Sequence, residues 1–156
     1  MQSKYWLALA LVALSGCKSV SEQPDPNQIK YVDLSSEAKK DLVEQYWQVT
    51  KRVEPAYSID AAKKGLSGCV TATVGIGATG EMVGYKITDS FPKGVFDSQG
   101  LAALKKWRWQ ATEANVDKVP VLTSIKLDFM VHGPDSRGNL AAAKEHCQFG
   151  KAPNQS

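Results

Sequence analysis

The glycine-rich stretch at residues 75–80 is a candidate for nucleotide chemistry. It reads Gly-Ile-Gly-Ala-Thr-Gly and matches the G-x-G-x-x-G string of dinucleotide-binding sites. In such sites the glycines open a helix, and the N-terminus of that helix faces the pyrophosphate. Here the following residues, Glu81–Ile87, alternate between apolar and polar side chains as a strand does. The stretch is therefore predicted to be a hairpin turn.

Histidine and cysteine near the C-terminus are candidates for a metal or thiol site, since His146 and Cys147 are adjacent and His132 lies upstream. A structural zinc site usually needs four ligands at characteristic spacing, and the sequence supplies no such set. No nucleophile with an oriented base can be assembled, because Asp89 and Asp97 occupy positions typical of turns and helix caps. We therefore expect no catalytic residue, metal, cofactor or small-molecule substrate, and the protein is not predicted to be an enzyme.

A cysteine near the N-terminus is a candidate for covalent lipid attachment. Lys4 precedes an apolar run, Tyr5–Leu14, and the Leu-Ser-Gly-Cys sequence ending at Cys17 resembles the lipobox of bacterial lipoproteins. We expect residues 1–16 to be a signal peptide and Cys17 to carry acyl chains that anchor a periplasm-facing protein. The alternative is an ordinary secretory signal followed by an incidental cysteine. Because Lys18 rather than aspartate comes next, the outer membrane is favoured over the inner membrane.

The other two cysteines, Cys69 and Cys147, are an even remainder in an exported chain. An oxidising compartment favours a disulfide between them, and two unpaired buried thiols are the alternative. The formal net charge of +3 is too small for a dedicated nucleic-acid surface, so nucleic acid is not an expected partner.

Hydrophobic periodicity divides the remaining chain into four parts. Residues 17–34 are polar and are expected to form a tether. Apolar residues at helical spacing predict a helix over residues 35–54, which Pro55 ends. Residues 55–132 are predicted to form the globular domain. Residues 133–156 are expected to be a C-terminal extension with a short helix over Asn139–His146.

The domain itself shows three alternating stretches that predict strands. The first carries Val70, Ala72, Val74 and Ile76 on one face and forms an antiparallel hairpin with Met82–Thr88. A helix beginning at Asp97 separates this hairpin from the third strand, Val121–Val131. The predicted fold class is α+β, with a small three-stranded antiparallel sheet and helices packed on one face.

Six short motifs follow one another in this region. They are Pro55-Ala56-Tyr57, Gly68-Cys69-Val70, Gly80, Ser90-Phe91-Pro92, Phe96-Asp97, and the run from Leu104 to Trp109. In this order and spacing, residues 54–131 resemble the C-terminal domain of TonB proteins, the periplasmic end of the energy transducers for outer-membrane transport. The sequence departs from the family pattern at two places. Tyr57-Ser58 stands where the family has Tyr-Pro, and Ala111-Thr112 stands where the family has Pro-Ala.

The resemblance implies a non-catalytic module whose last long strand accepts an extended peptide by strand addition. Carried over, the pairing edge is Val121–Val131, with Leu122, Ser124, Lys126 and Asp128 facing outward and Arg52, Val53 and Glu54 near the peptide. The expected partner is an envelope protein, such as an outer-membrane receptor or transport component. The structural alternative is an edge that Lys126 and Asp128 protect against pairing. Trp107 and Trp109 are expected to pack in the core.

The predicted lipid anchor and short tether argue against an energy transducer, which would need a transmembrane helix and a long spacer. A second hypothesis is a structural lipoprotein that braces an envelope complex through the predicted helix 36–53 and the C-terminal tail. Under the first hypothesis, partner binding should survive deletion of the residues after Gly133.

Overall fold

A computed structural model describes residues 28–133 and 137–150. The predicted signal peptide, Cys17 and most of the predicted tether lie outside these residues, and their roles remain predictions. Within the two described segments, no helix has the length and hydropathy that crossing a membrane requires.

The fold combines a four-stranded sheet with a two-stranded ribbon. In chain order the elements are β1 (Val32–Asp33), a 3-10 helix (Lys40–Leu42), α1 (Val43–Tyr46), β2 (Trp47–Lys51), α2 (Ile59–Lys63), β3 (Gly68–Ile76), β4 (Met82–Phe91), α3 (Asp97–Leu104), β5 (Arg108–Ala111), β6 (Val121–Phe129) and α4 (Arg137–Cys147). The sheet has the strand order β1-β6-β3-β4, and β2 pairs with β5 to form the ribbon.

The predicted hairpin and third strand are confirmed. β3 pairs antiparallel with β4 and with β6, and the register with β6 runs unbroken from Gly68–Phe129 to Ile76–Val121. The face of β3 that was expected to be apolar is buried, with Val70 at 1% and Val74 at 0% exposure. The alternation of side chains therefore identified the core face of the sheet.

Aromatic side chains fill one end of the core. The Phe96 and Phe129 rings stack with their centroids 4.3 Å apart, and the Tyr57 ring meets both edge-on at 5.5 and 6.1 Å. The Tyr57 hydroxyl donates a hydrogen bond to the Leu66 carbonyl oxygen, and burial raises the pKa of Tyr57 above its ordinary value. Ser58, a departure from the family pattern, caps α2 by accepting a hydrogen bond from the Ala61 N–H.

The sheet differs from the prediction in two respects. It is four-stranded and mixed, because β1 pairs in parallel with the first two residues of β6. Helices also lie on both of its faces: α3 approaches Val70 on the core face, whereas α4 packs on the opposite face through Cys69. A two-residue strand has almost no sequence signal, and so β1 was not predicted.

The predicted helix over residues 35–54 is wrong apart from the short turns that end at Tyr46. From Trp47 the chain is a strand that pairs antiparallel with β5. Val49 and Thr50 are β-branched and suit a strand, and the Trp47 indole N–H donates to the Val119 carbonyl oxygen at 2.9 Å. Pairing with β5 and this long-range hydrogen bond outweigh the helical spacing of the apolar residues.

The C-terminal helix and the disulfide are both confirmed. α4 includes the predicted segment Asn139–His146, and its last residue, Cys147, is bonded to Cys69. The two cysteines are only 2% and 4% exposed, so the bond is buried between the helix and the sheet. The tail is therefore an integral layer of the domain.

Residues 75–80 close the β3–β4 hairpin, as predicted. The Gly80 N–H donates to the Gly77 carbonyl oxygen at 2.9 Å, and the Gly77 N–H donates to the Glu81 carbonyl oxygen at 3.0 Å. Gly80 has φ +74°, and its carbonyl oxygen accepts a hydrogen bond from the Trp109 N–H at 2.9 Å. The turn is therefore docked on β5, and no helix N-terminus is available for a phosphate.

Replacing Gly80 with alanine is expected to lower the free energy of unfolding by about 3 kcal/mol, because left-handed backbone strain adds to a steric clash. The new Cβ would lie 2.0 Å from the Trp109 carbonyl oxygen. Gly84→Ala is the matched control, since its Cβ would meet nothing within 4 Å. Urea denaturation of the two variants measures the difference, and equal stabilities would refute the docking role of this turn.

Candidate functional site

One side of β6 is paired only at its beginning. The Pro120 carbonyl oxygen accepts from the Val32 N–H, and the Leu122 carbonyl oxygen accepts from the Leu34 N–H, both at 2.9 Å. Within residues 28–133 and 137–150, no strand pairs with this side of β6 beyond Leu122. The predicted edge is thus partly occupied by the chain's own β1, and the rest of it is open.

The open backbone groups of β6 follow from the alternation of a strand. Successive residues direct their N–H and C=O groups to opposite sides, and the register of β6 with β3 has no bulge. Because Leu122 faces β1, the backbone groups of Ser124, Lys126 and Asp128 face the same side. Among the described residues, these three therefore present a hydrogen-bonding edge without a strand partner, directly after the end of β1.

A turn takes the chain away from this edge after β1. The Ser35 N–H and hydroxyl donate hydrogen bonds to Oδ1 of Asp33 at 2.9 and 2.7 Å. These hydrogen bonds, the hydroxyl's foremost, hold the pKa of the Asp33 carboxyl below its ordinary value. An aspartate that bonds the backbone two residues ahead is a common turn device. It ends β1 at the point where the open edge begins.

A groove of about 610 Å³ runs beside the open edge. One wall is β6 itself, over residues 123–128. The other wall consists of residues from α1, β2 and the segment after β2: Val43, Glu44, Gln48, Val49, Arg52, Glu54 and Pro55. The groove therefore has a backbone hydrogen-bonding wall and a side-chain wall, which is the arrangement that an added strand requires.

Tryptophan side chains form the base of the groove. Trp47, Trp107 and Trp109 line it while being only 2%, 5% and 6% exposed. The Trp107 indole N–H donates to the Val53 carbonyl oxygen at 2.9 Å, and the Trp107 and Trp109 rings lie 5.9 Å apart. The expectation that Trp107 and Trp109 pack in the core is therefore correct, but the same rings also give the groove a rigid apolar base.

Charged side chains of both signs surround this base. The Arg52 guanidinium lies 4.9 Å from the centroid of the Trp107 ring, a cation–π geometry. Glu44 and Glu54 are exposed along the same wall. The Lys126 and Asp128 side chains lie on the α4 face of β6, where the Lys126 ammonium is 3.4 Å from Oδ1 of Asp128. The groove as a whole is neither strongly acidic nor strongly basic.

Five of the seven residues predicted to contact a partner line the groove: Arg52, Glu54, Ser124, Lys126 and Asp128. The other two are engaged within the domain. The carbonyl oxygen of Leu122 is used by β1, and that of Val53 accepts the Trp107 indole hydrogen bond. The Lys126 side chain also differs from expectation, because its ammonium donates to the Cys147 carbonyl oxygen in α4 at 2.5 Å. Lys126 thus offers its backbone to the groove, and its charge is bound by α4.

Three residues that line the groove were not among the predicted contacts, because their segment was predicted to be helical: Trp47, Gln48 and Val49. Their signal was present, since Trp47, Val49 and Val53 are apolar at every second or fourth position and Thr50 is β-branched. This pattern also fits a strand, and the pairing with β5 decides between the two readings.

The His146–Cys147 pair does not form a metal site in the described part of the chain, where no group of three or more possible ligands occurs. Nε2 of His146 lies 3.0 and 3.2 Å from the two carboxylate oxygens of Asp89, and Cys147 is in the disulfide. Both residues attach α4 to the sheet.

Comparison with known proteins agrees with this architecture. Residues 53–131 match the family described as Gram-negative bacterial TonB protein C-terminal. The solution NMR structure of the TonB C-terminal domain from Pseudomonas aeruginosa is 17% identical and superimposes with a TM-score of 0.50, over 65% of this chain and 95% of that one. The TonB2 protein from Vibrio anguillarum is 28% identical over 72% of this chain and 100% of that one, with a TM-score of 0.44. No curated protein matches the chain.

Proposed function

The chain belongs to the family of Gram-negative bacterial TonB C-terminal domains, and from this premise we propose that it binds an extended segment of another envelope protein by strand addition to β6. Domains of this family are periplasmic, interact with envelope proteins and are not enzymes. The function proposed for this chain is accordingly that of a non-catalytic peptide-binding module.

The open edge at Ser124, Lys126 and Asp128 is the observation that carries the proposal. An extended segment entering the groove continues the line of β1 and satisfies these backbone groups. At about 3.3 Å per residue, a segment of roughly five to seven residues covers this part of β6. Each backbone hydrogen bond contributes about 0.5–1.5 kcal/mol net, which suits a reversible interaction.

The side chains of a bound segment contact the wall opposite β6 and the tryptophan base of the groove. Alternate side chains of an added strand point to opposite faces, so one set lies over the tryptophan rings while the other lies towards the α4 side. The exposed Val49 extends the apolar surface, and Arg52 and Glu44 offer charges at the rim. We infer a partner segment that is apolar at alternate positions.

The edge-protection alternative loses its main support. A lysine guards an edge when its ammonium projects from the strand into water. The Lys126 side chain is only 14% exposed, and its ammonium is bound by α4 and lies close to Asp128. The Lys126 charge therefore does not protect the open backbone groups of β6 against pairing with another strand.

The bracing hypothesis loses one of its two contact surfaces. It needs a helix over residues 36–53, most of which is irregular or in β2, and the C-terminal tail as its second surface. That tail is bonded to β3 through Cys147. The earlier expectation that binding survives deletion of the residues after Gly133 must change too, because this deletion removes one layer of the domain.

Membrane attachment completes the proposal. We propose that Cys17 carries the lipid, that the part of the predicted tether before β1 links Cys17 to the domain, and that the outer membrane is the anchoring membrane. Two or more acyl chains give stable attachment, whereas one gives only a marginal one. The tether keeps the groove close to envelope proteins of the same membrane. Mass spectrometry of the mature N-terminus tests this part separately.

The domain is expected to bind short extended peptides with micromolar affinity, because a few backbone hydrogen bonds and one apolar base support it. A random seven-residue display library selected on the oxidised wild-type domain supplies the probe peptide. Tryptophan fluorescence follows its binding, since Trp47, Trp107 and Trp109 line the groove. Failure to enrich any peptide, or enrichment of peptides that leave the tryptophan fluorescence unchanged, would overturn the proposed function.

A further inference from the structure

The last turn of α4 is attached to three strands of the sheet. On β4, the His146 ring stacks on Phe91 with centroids 4.9 Å apart and pairs with Asp89 at 3.0 Å. On β3, Cys147 is bonded to Cys69. On β6, the Lys126 ammonium donates to the carbonyl oxygens of residues 147 and 148 at 2.5 and 3.4 Å.

These attachment points lie in two adjacent rows across the sheet. The register places Phe91, Cys69 and Asp128 side by side, and in the next row Asp89, Thr71 and Lys126. The end of α4 therefore lies across the sheet from the outer strand β4 to the open edge of β6. It reaches that edge through Lys126, the middle one of the three residues whose backbone groups are unpaired.

The Lys126 ammonium has a favourable site at the helix end. Carbonyl oxygens at a helix C-terminus carry partial negative charge, and a cation there is stabilised. Asp128 adds a carboxylate 3.4 Å away. Holding the side chain fixes its Cα, and with it the N–H and C=O groups that face the groove.

We propose that α4 is a positioning element for the peptide-binding edge and that Lys126 is the residue through which it acts. The inference rests on the proposed function and deepens it. An edge strand paired on one side frays at its free end, and a strand that is already ordered loses less entropy when a peptide pairs with it. α4 restrains β6 from the face of the sheet opposite the groove, so the groove stays open to the peptide.

α4 lies outside the part of the chain that matches the family. The family match ends at residue 131, and α4 spans Arg137–Cys147. Within the match, the last turn of α4 contacts Cys69, Asp89, Phe91 and Lys126. Of these, only Lys126 lies on the open edge strand.

The test is Lys126→Met, which keeps the aliphatic side chain and removes the bound ammonium, with Lys126→Arg as the rescue. Lys86→Met on β4 is the control, since Lys86 is an exposed lysine on the other outer strand. The dissociation constant for the peptide selected on the wild type is expected to rise about tenfold in Lys126→Met, to recover in Lys126→Arg and to stay constant in Lys86→Met. Binding is measured at a temperature where every variant is fully folded, so that a merely stabilising role leaves it unchanged.

A second readout needs no peptide. Hydrogen exchange of the Ile125 and Leu127 amides, which face β3, is expected to quicken about tenfold in Lys126→Met while the Val74 amide in the core strand is unchanged. Unchanged exchange at both amides, or unchanged peptide affinity in Lys126→Met, overturns the positioning role and leaves the proposed function standing. A wild-type domain that binds no peptide while exchange responds as expected overturns the function alone.

Discussion

Ser124→Pro is expected to weaken binding of the selected peptide by roughly 100-fold, about 3 kcal/mol, while the domain stays folded. Proline removes the Ser124 N–H, one of the donors on the open edge, and its ring blocks the approach of a neighbouring strand. The N–H that is lost does not bond to β3, because the backbone of Ser124 faces away from it. Proline is tolerated at this kind of edge position, and we expect less than about 1 kcal/mol loss of stability. Isothermal titration and thermal unfolding measure the two effects.

Two control variants show whether the loss of binding comes from the backbone N–H on the open edge. Ser124→Ala keeps the backbone N–H and is expected to bind like the wild type, which separates the backbone from the hydroxyl. Thr123→Pro removes an N–H that faces β3 and is expected to destabilise the domain strongly, since an inner ladder bond is lost. If Ser124→Pro binds with wild-type affinity, the peptide does not pair with β6.

Removal of the disulfide is expected to have the largest effect on stability. Cys69 and Cys147 are 78 residues apart in sequence, and the loop-entropy relation gives a loss of about 4.5 kcal/mol for a loop of this length. The double variant Cys69→Ala/Cys147→Ala therefore unfolds at a much lower denaturant concentration than the oxidised wild type. Guanidinium titration of the oxidised protein, the reduced protein and the double variant measures the loss.

The reduced wild type is the control for the side-chain volume that the two alanine substitutions remove. It should lose nearly as much stability as the double variant, and the same reductant should leave the double variant unchanged. A reduced protein as stable as the oxidised one would show that α4 is held by its other contacts alone, those of His146 and Lys126.

The sequence allowed the central hairpin and β6 to be predicted because their signal is local. Strict alternation over Val70–Ile76 identified the buried face, and the glycines at 77 and 80 identified the turn. The same alternation over Val121–Phe129 separated the residues on the core face of β6 from those on its other face. Where one face of a strand is buried, periodicity determines the register of its side chains.

The region before the domain could not be predicted in this way. Trp47–Lys51 is a strand because it pairs with β5, which lies some 60 residues later in the sequence. The helical spacing of its apolar residues is a local signal and does not reveal that non-local pairing. β1 is two residues long and is defined by two hydrogen bonds to β6. Its effect on the site is large despite its length, because it occupies the first two residues of the predicted edge.

The sequence predicted some of the residues that line the groove but not the geometry of the groove. Arg52, Glu54, Ser124 and Asp128 meet at one groove, although they are far apart in sequence. The role of Lys126 depended on α4, whose position over the second face of the sheet followed from a disulfide that the sequence could only suggest. Contacts of this kind depend on tertiary packing.

Amide hydrogen exchange of the domain with and without the selected peptide tests the strand-addition claim most directly. Bound peptide is expected to slow exchange at Ser124, Lys126 and Asp128, with little change along β4, the outer strand on the other side of the sheet. Protection confined to β4, or a bound peptide that leaves those three amides exchanging freely, would contradict that claim.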